Sequence, residues 1–248
     1  IMNPLGEETS VMRTTLIPNM LDVISTNISH KVEEVSAFEC GNTFIPQEGL
    51  PIETKKYCVG MYGKEVDFFV LKGVIESVLN NVGLKGYEIE PETTNLTFHP
   101  GRCAKIVYNN IYIGTFGELH PDVIENYNLG QRVYVAEINI DTVFENLNLT
   151  KSYNPLPKYP STSRDIALIV KDEVFVKQIE DIIKANGEDL VESYKLFDVY
   201  KGAQIEEGHK SIAYRSKDKT LTDEDVAKVH EKILSELSEK LNANLRSN

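Results

Sequence analysis

Two spacings of apolar residues alternate along the chain, one near 2 and one near 3.6, and each switch between them predicts an element boundary. The clearest segment is residues 99–121, HPGRCAKIVYNNIYIGTFGELHP. Two apolar runs, residues 104–108 and 111–116, flank Asn109-Asn110. Asparagine tolerates positive φ better than most residues, so a two-residue Asn-Asn loop suits a primed turn and predicts a β-hairpin. Val107, Ile111 and Ile113 are β-branched and fit a pleated, half-buried surface. Gly101, Gly114 and Gly117 sit where a backbone must bend or come close to another segment. A hairpin alone is marginal in water, so this one is expected inside a larger sheet.

Upstream, residues 9–15 read as a short strand and 16–30 as a helix with Pro18 in its first turn, where a missing N–H costs nothing. Leu16, Met20, Val23, Ile24, Asn27 and Ile28 make its apolar face. Residues 32–45 alternate as a strand ending near Gly41-Asn42, 46–51 form a loop, and 55–62 form another strand. Residues 67–82 predict a helix with Phe68, Leu71, Val74, Ile75, Val78 and Leu79 on one side and Gly83 as its stop. Residues 84–96 look strand-like; beyond the hairpin come a short helix at 121–127, a strand at 133–140 and a short helix at 141–147. Strands and helices without a strict βαβ rhythm predict an α+β domain on a mostly antiparallel sheet.

A boundary falls at residues 151–163, where three prolines in six residues among Ser and Asn make a stiff polar linker. Beyond it lie a strand at 164–171, a helix at 175–186 stopped by Gly187, strands at 190–200 and 210–216, and a helix capped by Thr222. Leu245-Arg246 closes the series as a last short strand. The order βαββαβ is the split βαβ arrangement of ferredoxin-like folds.

Several motifs, in order, resemble one family. HPGR and IGTFGELHP in the hairpin, NPL through LIPNML at residues 3–21, FECGNTF at 38–44 and VDFFVLKGVIE at 66–76 resemble the C-terminal third of the β chain of bacterial phenylalanyl-tRNA synthetases. YPSTSRDIA, LFDVYKG and KSIAYR followed by KTLTDEDV resemble the anticodon-binding domain that ends the same β chain. The runs at 60–66 and 214–220 are shorter than this resemblance leads one to expect.

The resemblance implies three parts. Residues 1–150 would be a class II synthetase-like antiparallel sheet domain with helices, catalytically silent and binding the α chain. Residues 151–163 would be the linker, and residues 164–248 a ferredoxin-fold anticodon-binding domain. It further implies an α2β2 assembly in the cytoplasm that charges tRNA(Phe) with phenylalanine, using ATP and Mg at sites outside this chain. The implied RNA contacts are Ser161, Ser163, Arg164, Asp198, Tyr200, Lys201, Lys210 and Arg215. Lys and Arg suit phosphates, and rings or short polar side chains suit bases. The blander account has Arg164 and Asp165 holding the linker and Tyr200 packing. A different class of reading also stands: a free-standing structural or ligand-sensing protein, since ferredoxin-like domains also serve as regulatory modules.

Charge narrows where a polyanion can bind. The net charge of −12 opposes general nucleic-acid binding. Residues 1–150 hold 10 Lys/Arg against 20 Asp/Glu, and residues 151–248 hold 16 against 18, so the second half is the candidate. No apolar run nears the roughly 18 residues that span a bilayer. The start has no basic segment before an apolar core, so no signal peptide is expected, and an initial Ile in place of Met predicts a piece of a longer chain. Cys40, Cys58 and Cys103 make no metal or disulfide pattern and fit a reducing compartment.

Catalytic candidates are few. His99 and His120 would need a third metal ligand, with only Cys103 and Glu118 near in sequence, and both read as structural or interface residues. Glu118-Leu119-His120 lacks a nucleophile or an oriented partner. Gly114 and Gly117 are too closely spaced for a phosphate loop. Arg13 and Arg102 suit a phosphate or a carboxylate, with bracing of this domain or of its partner chain the favoured role. No catalytic residue and no metal ligand is assigned.

Overall fold

The computed structural model describes residues 1–7, 10–147, 149–150, 153, 162–187, 191–202, 205–218 and 223–246, with the side chains of 162, 163, 192, 215–218 and 223–225 left out. The chain divides into two units, Ile1–Ser152 and Tyr153–Asn248. The first contains α1 (Ile17–Ser29), β1 (Val35–Ile45), β2 (Ile52–Tyr62), α2 (Phe68–Asn81), β3 (Glu88–Pro91) and β4 (Phe98–Tyr108). It continues with β5 (Ile111–Leu119), α3 (Pro121–Asn126), β6 (Tyr134–Asn139) and α4 (Ile140–Glu145). Six antiparallel strands lie in the order β1-β2-β6-β5-β4-β3.

The expected hairpin is β4–β5, and its turn has φ of 49° at Asn109 and 63° at Asn110. Both strands are interior. Successive side chains of β2 point to opposite faces. Cys58 and Tyr62 join a cluster with Leu16, Met20, Leu21 and Ile24 of the α1 region, while Val59 and Met61 join one with Leu71, Ile75 and Leu79 of α2. The sheet is therefore covered from both sides.

One carboxylate ties these layers. Glu137 of β6 accepts hydrogen bonds from the Thr15 hydroxyl (2.6 Å) and the Leu16 N–H (2.7 Å), and it pairs with Lys56 of β2 at 2.6 Å. Leu16 carries no side-chain cap of its own, so a strand residue 121 positions away receives the first turn of α1. Asp67 caps α2 directly, accepting from Val70 N–H.

The second unit contains β7 (Thr162–Lys171), α5 (Val176–Asn186), β8 (Val191–Tyr200), β9 (His209–Asp218), α6 (Asp223–Leu241) and β10 (Asn244–Leu245). Its four antiparallel strands lie in the order β10-β7-β9-β8, and the βαββαβ chain order makes it ferredoxin-like. Ile166, Leu168, Val170, Ile212 and Tyr214 pack with Ile179, Ile183, Ile233 and Leu237 of the two helices.

Several local expectations need correction. Residues 10–15 form no strand: Arg13 touches β1 through one backbone bond, from Phe44 N–H at 2.8 Å, before the chain turns into α1. Residue 9 lies outside the described residues, as do the Thr222 cap, residue 190 and nearly all of the Pro-rich stretch. β1 runs through Gly41-Asn42 to Ile45, because Ile45 still pairs with Ile52. Within 84–96 only Glu88–Pro91 is a strand. Pro91, on the edge strand, turns its nitrogen away from β4; Glu92 N–H makes one last bond to Cys103 O at 3.0 Å, and the Glu92 carboxylate then accepts from the Thr94 N–H at 2.7 Å to start a turn. β9 is longer than expected, reaching Asp218 through pairing with β7 and β8.

Gly114 offers a direct test of the central sheet. A Cβ built there would lie 2.3 Å from the carbonyl oxygen of Glu137 and 2.9 Å from Ile138 Cα, both backbone atoms that cannot rotate away. Gly114→Val should destabilise the chain by about 3 kcal/mol, the upper range for overpacking. The drop should show as a lower urea midpoint with near-native slope. An unchanged midpoint would mean that β5 and β6 do not approach as described.

Candidate nucleic-acid interface

Residues directly opposite in an antiparallel pair share a face. Ile166 lies opposite Tyr214 and Leu168 opposite Ile212, and these four face the helices. Ala167 opposite Ala213 and Ile169 opposite Ser211 therefore belong to the other face. On β8, Leu196 pairs with Tyr214, but the register then shifts at Phe197, so that Asp198 stands opposite Ala213 and Tyr200 opposite Ser211. Strict alternation would have given Tyr200 the same side as Leu196. The bulge instead transfers Asp198 and Tyr200 to the face opposite α5 and α6.

The floor beneath Tyr200 is made of small residues. Ser211 and Ala213 are buried, and the ring is 37% exposed. A Cβ at Gly202 would fall 2.3 Å from the Tyr200 hydroxyl, so only glycine leaves the ring its place. Arg246 extends from the end of β10, its N–H bonded to Ala167 O at 2.9 Å, and its guanidinium sits 5.5 Å from the Tyr200 ring centroid. A ring paired with a cation on a flat floor can stack a base, and the adjacent Asp198 carboxylate can accept from base amino groups.

The residues expected to touch RNA fall into separate groups. Asp198 and Tyr200 share the face just described. Lys201 follows at the end of β8, where its ammonium pairs with Asp172 at 2.7 Å. Lys210 Nζ donates to the Asp172 carbonyl at 2.9 Å. Burial, then the like charge of Lys201, push the Lys210 ammonium below the ordinary lysine value, and Asp172 acts in the opposite direction. Arg164 pairs with Ser216, six residues along β7 from Val170, the partner of Lys210. That separation is roughly 20 Å, so Arg164 and Lys210 do not meet. By register both lie on the helix side of the sheet. Arg215 stands opposite Asp165 and Lys195, and Ser163 opposite Lys217, but neither side chain is among those described. Ser161 lies outside the described residues.

Sequence reasoning missed Ser211, Arg246 and Asp172. A signal existed for Arg246: the short last strand was expected, and in this strand order it borders β7 with alternate residues on the helix-free side. Ser211 and Asp172 are placed by pairing across the sheet and carried no local signal.

In the first unit, the charged residues mostly brace the fold. Arg13 pairs with Glu39 at 2.6 Å and donates to Asn42 O at 3.0 Å. Arg102 pairs at 2.8 Å with Glu118, a buried carboxylate that also accepts from the Tyr134 hydroxyl at 3.2 Å. Burial and then Glu118 raise the Tyr134 phenol above its ordinary value. His120 caps α3 by accepting from Asp122 N–H, and His99 accepts from Gly101 N–H, so each ring has a local structural task. Among the described residues no group of three or more His, Cys, Asp or Glu is arranged to hold a metal. Burial pushes the Cys103 thiol up to about 12 and raises Cys58 further, and both are inert as nucleophiles at neutral pH.

Residues 1–140 match the family model described as the phenylalanyl tRNA synthetase beta chain CLM domain. Residues 157–246 match the model of the ferredoxin-fold anticodon binding domain. The phenylalanine–tRNA ligase beta subunit of Clostridium tetani is 45% identical over 253 residues, covering 99% of this chain and 32% of its own length. That of Bacillus licheniformis is 36% identical over 262 residues, covering 98% and 32%. The chain thus spans about a third of the length of the curated relatives it matches. Among solved structures, a pyrrolysyl-tRNA synthetase of Desulfitobacterium hafniense aligns over 53% of this chain and 48% of its own at a TM-score of 0.45 and 13% identity, too slight a likeness to argue from.

The Tyr200–Arg246 arrangement allows single-stranded RNA binding at this face to be tested by two separable contributions. Tyr200→Ala should weaken binding without changing its salt dependence, since a stacked ring displaces no counterions. Arg246→Ala should weaken binding and also lower the log–log salt slope by about 0.7. Fluorescence titration across a salt series reads both, and wild-type affinity in the two variants would remove this face from consideration.

Proposed function

The chain belongs to the phenylalanyl-tRNA synthetase β-chain family, and from that premise we propose that it works within a β subunit in the ATP-dependent charging of tRNA(Phe). In this reading the first unit binds the α chain, residues 151–163 link, and residues 164–248 recognise the anticodon. The assembly is an α2β2 heterotetramer of the cytoplasm. The observation that carries the reading is the succession of two family matches along one chain, the second ending in a sheet whose helix-free face holds Tyr200, Asp198 and Arg246.

Chemistry is assigned to the partner. Arg13 and Arg102, the arginines expected to suit a phosphate, are engaged by Glu39 and Glu118 of their own unit. They do not fit a nucleotide site, so ATP and Mg are attributed to the α chain. The docking role of the first unit is supported by large apolar side chains left exposed, among them Phe38, Leu50, Phe69 and Leu96. Exposed apolar surface of this kind marks interaction sites, and obligate interfaces usually bury more than roughly 2,000 Å². Among the described residues no helix is long and apolar enough to cross a membrane.

Co-expression with a phenylalanyl-tRNA synthetase α chain tests the reading. The two chains should elute as one stable complex, and this chain alone should show no phenylalanine-dependent pyrophosphate exchange above a buffer control. Separate elution, or exchange activity by this chain alone, would overturn it.

A further inference from the structure

His209 opens β9 and stands opposite Lys171. Ser211 and Ala213, further along the same strand, lie on the helix-free face, and strand alternation puts His209 there with them. Tyr200 stands opposite Ser211, so His209 is its diagonal neighbour, roughly 7 Å away and within reach of a long side chain. The tyrosine leans the same way. Its hydroxyl lies over Gly202, where an added Cβ would fall 2.3 Å from the oxygen. Gly202 is the position that the β8–β9 register, carried past Tyr200, sets opposite His209. The hydroxyl end of Tyr200 and the imidazole thus share one end of the face.

The two imidazole nitrogens are not equivalent. Nδ1 is sealed from solvent and has no hydrogen-bond partner among the described residues, while His209 as a whole is half-buried. A neutral imidazole carries one N–H and one bare nitrogen. A buried N–H without an acceptor is a rarer orphan than a buried acceptor without a donor, so the proton belongs on Nε2. His209 then presents a donor on the side of the ring that is not sealed. Charge does not decide what this donor meets. Asp172, Glu173, Glu206 and Glu207 outnumber Lys171, Lys201 and Lys210 at this end of the sheet, so a phosphate is not the group it attracts. What remains is a directed hydrogen bond to a base.

We propose that His209 reads the base stacked on Tyr200: its Nε2–H donates to a carbonyl oxygen at pyrimidine C4 or purine C6. The face then favours a keto base, uracil or guanine. Cytosine and adenine carry an amino group at that position and would set a second donor against the imidazole N–H. The proposal rests on the RNA reading of this face and adds a donor to the acceptor that Asp198 supplies.

The test titrates the full chain at low salt with fluorescein-labelled oligouridine and oligocytidine heptamers, which differ in the group at C4. Wild type should bind oligouridine roughly three- to tenfold more tightly, the net worth of one neutral hydrogen bond. His209→Phe keeps a flat ring and removes the donor. Its affinity for oligouridine should fall to that for oligocytidine, which should itself stay at the wild-type value. Its thermal melt should match or exceed wild type, because the sealed, unpaired nitrogen goes with the substitution. Long-range proton–nitrogen NMR of the unmodified chain at mildly alkaline pH should find the His209 proton on Nε2. A proton on Nδ1 overturns this proposal alone, as does equal binding of the two heptamers by wild type or a preference that survives in His209→Phe. No binding of either heptamer by wild type overturns the RNA reading and this proposal together.

Discussion

An antiparallel sheet needs cover on at least one face, and the way each unit meets that need decides where function can reside. In the first unit α1 and α2 take opposite faces, so alternate residues of β2 are buried in two separate clusters. Both sides of that sheet are used for packing. In the second unit both helices take the same face, which leaves the other to Tyr200, Asp198, Ser211 and Arg246. The first unit is thus suited to packing on both sides of its sheet, and the second leaves one sheet face open as a surface.

The packing of the first unit depends on non-local polar contacts as well as on apolar area. Glu137 supplies the missing cap of α1 and neutralises Lys56 in a half-buried setting. Glu118 does the same for Arg102 while holding the Tyr134 hydroxyl. Charged groups that in isolation resemble a phosphate or acid–base site are thereby explained as pairs. Breaking such a pair leaves a buried charge uncompensated, which costs more than the intact pair contributes.

What could be read from the sequence follows the range of the forces involved. The β4–β5 hairpin was legible because Asn109 and Asn110 themselves adopt the positive φ that the turn requires. The α2 helix was legible from its own spacing and from Asp67 as its cap. Residues 10–15 were misread because a β-rich stretch still needs a partner, and only Phe44 is offered. The bulge at Phe197 left no local mark, since it exists only relative to β9, yet it decides which way Tyr200 faces. Arg164 and Lys210, both among the expected RNA contacts, lie on adjacent strands, but strand adjacency alone says nothing about position along the strand. Their actual places follow from the register with Ser216 and Val170.

The central claim is that the helix-free face of the second unit, around Tyr200, receives a single-stranded stretch of tRNA. Photocrosslinking tests it most directly, with 4-thiouridine placed in the anticodon loop of tRNA(Phe) and the adducts mapped by mass spectrometry. The account predicts adducts on the peptides that carry Asp198 to Lys201 and Arg246. Adducts confined to α5, α6 or the first unit would contradict it.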